Sequence, residues 1–142
     1  MKYLAVLLAA AALVTGGAYA QDGASVRAGT TAARLEPGRD VYARWCAPCH
    51  AAYPRLAGTM SLQAKYSGSL PAALEDRTDL NAALIAYFVR NGVAWMPPFR
   101  PTEISDAELA QLTEYLTAPL AERGAHAPLM AQELVGQHGE TQ

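Results

Sequence analysis

Both cysteines of this 142-residue chain fall in one hexapeptide, Trp45-Cys46-Ala47-Pro48-Cys49-His50, and no other feature narrows its possible structure as much. Residues three and four apart share one face of a helix. On a helical turn Cys46, Cys49 and His50 therefore converge on one side, two thiols beside an imidazole. Cys-x-x-Cys-His is the pattern by which a c-type haem is attached. The thiols form thioethers to the vinyl groups, and the imidazole reaches the iron as proximal ligand.

The same letters carry a rival reading. The stretch Val41 to Cys49 resembles the active-site segment of thioredoxins, where Trp-Cys-x-Pro-Cys places a low-pKa thiolate at a helix start. A third reading is a structural disulfide in an exported protein. A thioredoxin fold needs an apolar strand directly before the Trp-Cys pair. Here that place holds Leu35-Glu36-Pro37-Gly38-Arg39-Asp40, which cannot form a central strand. Valine, isoleucine and threonine are scattered, and no run of them alternates or persists. The expectation is an all-α fold, three main helices plus loops around one covalent haem c.

Residues 1–20 read as a signal peptide. Lys2 gives the charge, Leu4 to Val14 the apolar stretch, and Ala18-Tyr19-Ala20 the small-residue cleavage site. The apolar stretch is short for a bilayer span, and no later segment is apolar enough to cross a membrane. Cleavage removes Lys2 alone from 11 Lys and Arg against 13 Asp and Glu, leaving a net charge near −3. That mild acidity argues against nucleic acid as a partner, which would want a basic face. The expected location is the periplasm.

Residues 21–36 are small and polar and read as a flexible leader. The domain is placed at 37–119. Pro37 suits a first helical turn, and Val41, Tyr42 and Trp45 follow at helical spacing. Residues 51–78 hold Pro54, Gly58, Gly68 and Pro71 and predict loops with short turns at most. A second helix is expected from Asp79 or Asn81 to Asn91-Gly92, and a third from the capping box Ser105-Asp106-Ala107-Glu108 to Pro119. Gly38, Tyr42 and Tyr115 mark where the first and last helices cross. Residues 120–142 predict a loose tail.

A haem also needs its sixth position decided. Met60 is only ten residues past His50, and Met130 lies in the tail. Met96 stands in Trp95-Met96-Pro97-Pro98-Phe99, where two prolines stiffen the backbone, and is the expected ligand opposite His50. His126 and His138 read as solvated. Past the signature, the Pro54 carbonyl is placed to accept the second ring N–H of His50, and Leu56 to cover a haem face. Trp95 reads as a core residue. Arg55, Arg77 and Arg100 read as surface arginines.

From the first helix through Met96 to the capped last helix, residues 37–118 resemble the single-haem, class I cytochrome c family. The resemblance implies covalent haem with His50 and Met96 as axial ligands. Val89 to Phe99, followed by Ile104 to Leu109, is similar to the cytochrome subunit of p-cresol methylhydroxylase and eugenol hydroxylase type flavocytochromes. There a flavoprotein oxidises a 4-alkylphenol and the cytochrome takes its electrons singly. The chain departs from the pattern at Tyr53, where a glycine is more usual. The resemblance implies an electron-transfer protein and not an enzyme, partnered by a flavoprotein dehydrogenase or hydroxylase subunit and a downstream acceptor. A free electron shuttle and an open-site haem catalyst or sensor are the other expectations.

Overall fold

The computed structural model describes residues 19–127, with side chains from Gly29 onward. It is helical: α1 Tyr19–Trp45, α2 Ala47–His50, α3 Ala57–Tyr66, α4 Ala82–Asn91, α5 Asp106–Thr117 and α6 Leu120–Arg123, with a 3-10 turn at Leu74–Asp76. Among the described residues there is no β-strand, only an isolated bridge between Val93 and Met96. The all-α expectation holds, and the thioredoxin reading falls with it.

α1 crosses α5, and this crossing is the centre of the core. Tyr42 and Tyr115 are fully buried with ring centroids 6.0 Å apart. Gly38 makes the close approach possible, since a Cβ there would lie 2.7 Å from the Gln111 carbonyl carbon and 2.8 Å from Tyr115 Cβ. Leu35, Leu112, Leu116 and Ile104 fill the same layer, and α4 adds Ile85 and Val89. Each such side chain contributes about 1.5–3 kcal/mol by leaving water.

Four expectations are corrected. α1 begins at Tyr19, not Pro37, so the stretch 21–36 expected as a flexible leader is helical, with Pro37 inside the helix. Its apolar pattern is thin, but Leu35 is buried against the core and Arg34 pairs with Glu114 and, at 3.5 Å, with Glu122. These contacts are invisible to periodicity. α3 is a ten-residue helix where only loops and turns were expected. It buries Thr59 alone, so it has no apolar stripe to announce it. The tail expected over 120–142 is anchored in its described part. Arg123 and Ala127 are buried, and Arg39 donates to the Ala125 and His126 carbonyls at 3.4 and 3.1 Å. His126 is paired with Asp76 at 2.7 Å, not simply solvated. Residues 1–18 of the expected signal peptide, and residues 128–142 with Met130 and His138, lie outside the described residues.

α4 and α5 match expectation closely. Asn81 caps α4 by accepting from the Leu84 N–H at 3.0 Å, and Gly92 stops it at φ +67°. Ser105 and Glu108 form the full capping box on α5.

Candidate functional site

The site is built where α1 ends. The Cys46 N–H donates to the Tyr42 carbonyl at 2.8 Å, and the Cys46 carbonyl then accepts from both Cys49 (3.0 Å) and His50 (2.8 Å). That shared acceptor winds Ala47–His50 into the short helix α2, with Pro48 supplying no competing donor. Cys46, Cys49 and His50 therefore occupy one turn, with both thiols free.

Burial shifts both kinds of group in this turn. The Cys46 thiol is pushed up to about 12, chiefly by burial, with the Cys49 and Glu75 charges adding to it. A dithiol-exchange nucleophile needs the opposite shift. Burial also pushes the His50 imidazole down from its ordinary value, which favours the neutral ring, the form that binds a metal.

Tyr42 and α3 hold the turn in place. The Tyr42 hydroxyl donates to the His50 carbonyl at 3.0 Å. Thr59 Oγ1 donates to the Ala51 carbonyl at 2.8 Å. Gly58 lets the α3 backbone lie against the imidazole: a Cβ there would stand 2.5 Å from His50 Cε1 and 2.6 Å from Nδ1. No sequence signal distinguished this glycine from one in an ordinary turn.

Around the turn, Trp45, Leu56, Leu74, Leu80 and Phe99 are partly buried apolar side chains packed against the core. Two buried ring nitrogens, Trp45 Nε1 and His50 Nδ1, have no hydrogen-bond partner. Paired free thiols, a neutral imidazole, an apolar fringe and orphaned ring nitrogens together fit a large apolar group held covalently and edged by polar substituents. The orphaned Nδ1 also corrects one expectation: the Pro54 carbonyl does not accept from His50. Pro54 is exposed, and it lines a cavity of about 460 Å³ with Tyr53, Thr59, Met60 and Asp76. Met60 is 55% exposed. Leu56 is half-buried against the core.

Met96 is half-buried in a tight turn closed by Val93 N–H to Met96 carbonyl (3.0 Å) and Met96 N–H to Val93 carbonyl (2.8 Å). The loop is tied down on both sides. The Phe99 N–H donates to the Val89 carbonyl at 2.7 Å. Arg90 reaches the Phe99 and Ile104 carbonyls at 3.0 and 2.8 Å and pairs with Asp106. Phe99 then stacks edge-on against Trp45, ring centroids 5.7 Å apart, which seats the Met96 loop beside the residue preceding Cys46. Trp95, expected in the core, is instead 98% exposed, because Ala94 at φ +50° turns the chain outward. Arg77 is buried and bidentate to Asp79 at 2.8 and 2.5 Å, not a surface arginine. Arg55 and Arg100 are exposed.

The family model described as cytochrome C oxidase, cbb3-type, subunit III matches residues 33–116, more than half of the chain. No curated protein and no solved structure matches it.

Proposed function

The chain belongs to the cytochrome C oxidase, cbb3-type, subunit III family, a c-type cytochrome domain that binds haem c covalently and transfers electrons, and we propose that it works in the periplasm as the haem subunit of a flavocytochrome. In this reading Cys46 and Cys49 form the thioethers, and His50 and Met96 are the axial ligands. Leu56 covers a haem face. The observation that carries the site is the single turn bringing two free thiols and a half-buried imidazole together. When bound, the haem supplies a one-electron couple between ferrous and ferric iron.

The protein's own residues hold and orient that couple. Tyr42 and Gly58 fix the His50 segment, and the bonds of Arg90 and Phe99 set the Met96 loop. The partner is proposed to be a flavoprotein that oxidises 4-alkylphenols. Support comes from the resemblance of Val89 to Phe99, and from Trp95, an exposed aromatic side chain beside Met96 that offers a partner a contact on the ligand loop. A second reading is a free shuttle for another dehydrogenase or an oxidase; the family's description, which names an oxidase subunit, supports an oxidase as the acceptor but not the free state. Among the described residues no helix is long and apolar enough to cross a membrane.

The test is expression with haem-maturation machinery, followed by denaturing electrophoresis, haem staining and spectroscopy. Haem retained on the chain, with a sharp reduced α-band and a methionine-to-iron band when oxidised, is the expected result. A colourless chain with two titratable thiols overturns the reading. Purification from the native host then separates the partners: a flavoprotein that co-elutes makes it a subunit, and a haem protein eluting alone makes it a shuttle.

A further inference from the structure

Glu75 is a charged residue in the interior, 2% exposed on the 3-10 turn that precedes α4. Its Oε1 accepts from the Tyr115 hydroxyl and from the Ala127 N–H at 2.8 Å. Both are donors, the complement of an acceptor-only carboxylate. Its backbone carbonyl accepts from Arg123 Nη1 at 2.8 Å, while Arg123 Nε donates to the Ala118 carbonyl. Arg123 thus stands near the carboxyl without binding it, and Oε2 is buried with no protein partner.

The same hub leads to the haem-attachment turn. The Tyr115 ring packs on Tyr42, and the Tyr42 hydroxyl donates to the His50 carbonyl. Glu75 also contributes to the upward push on the Cys46 thiol and on both tyrosines. The other charged or titratable groups facing this cluster are Asp76, His126, Arg39 and Arg123.

We propose that Glu75 is a positioning residue that lowers the reduction potential of the haem through its buried, incompletely neutralised negative charge, linked to the His50 segment by the Tyr115–Tyr42 pair. The inference rests on the haem reading above. Oxidation adds one positive charge at the iron, and a fixed negative charge in a low-dielectric interior favours that state. Nothing in the metal's ligand set is altered, so the effect reads as potential and not as loss of haem.

The experiment is a redox titration of intact holoprotein, wild type, Glu75→Gln, Arg123→Gln and Tyr115→Phe. Covalent haem is first confirmed for each by staining under denaturing conditions. Haem missing from the wild type defeats the haem reading itself and is recognised there, before any potential is measured. With haem present, Glu75→Gln should favour the ferrous form about tenfold, a rise of about 59 mV for a one-electron couple. Arg123→Gln leaves the negative charge less opposed, so the potential should fall. Tyr115→Phe strips a donor from the carboxylate and should lower it too. Opposite signs separate charge from mere loosening of the chain around residues 118–127, which would move the Glu75 and Arg123 variants in one direction. If Glu75→Gln fails to fold, the other two variants decide. Unchanged or raised potentials there overturn the proposal, as does an unchanged or lowered potential in Glu75→Gln.

Discussion

Replacing Gly58 by alanine tests the contact on which the histidine side of the site depends. An added Cβ would stand 2.5 Å from His50 Cε1, 2.6 Å from Nδ1 and 2.7 Å from the Cys49 carbonyl oxygen. Ordinary contact between such atoms needs roughly 3.5–4 Å, so about 1 Å must be found. The ring is hemmed in by a segment bonded through Tyr42, and the Cys49 oxygen belongs to the backbone. Shifting α3 instead strains the Thr59 to Ala51 bond, and losing such a bond costs about 1 kcal/mol. Overpacking of this kind costs about 1–3 kcal/mol, against at most about 1 kcal/mol gained in helix propensity. The net expectation is about 1–2 kcal/mol of destabilisation, and at about 4–8 °C per kcal/mol for a small domain the Tm falls by about 4–16 °C. Gly29→Ala is the control, since a Cβ there meets nothing within 4 Å. Thermal melts of both holoproteins, followed by far-UV circular dichroism and by haem absorbance, read the difference. A Gly58→Ala protein that melts with wild type and keeps its oxidised spectrum would refute the reasoning.

Three further outcomes follow from single contacts. Met96→His should lower the reduction potential, because a thioether favours ferrous iron more than an imidazole does; an unchanged value in a redox titration removes Met96 from the metal. Ser105→Ala removes the side-chain half of the capping box on α5 and should cost about 1 kcal/mol in denaturant unfolding. Trp95→Ala should change stability by no more than about 0.5 kcal/mol, since the side chain is almost wholly in water. A loss of about 3–5 kcal/mol in the same assay, the cost of a truncated core tryptophan, would place it inside.

What was legible in the chain was local. Asn81 and the Ser105–Glu108 box announced α4 and α5 because a cap is satisfied by its own next turn. The crossing of α1 on α5 was also signalled, by Gly38 and Tyr42 on the first helix and Tyr115 on the last. α3 was not, because a helix that buries one threonine has no period to detect. Pro37 misled for a related reason. Proline favours a helix start locally, yet burial of Leu35 and the pairing of Arg34 on α5 and α6 carry the helix through it.

The site divides along the same line. By itself the sequence determined that two thiols and an imidazole share one turn, since their spacing is shorter than any tertiary contact. Only the tertiary structure decided what surrounds that turn. Gly58 against the imidazole, Trp95 turned out to water, and Glu75 reaching Tyr115, Arg123 and Ala127 join residues 8 to 52 positions apart. Such contacts follow from which helix faces meet, and a buried carboxylate keeps its place only because those faces bring it donors.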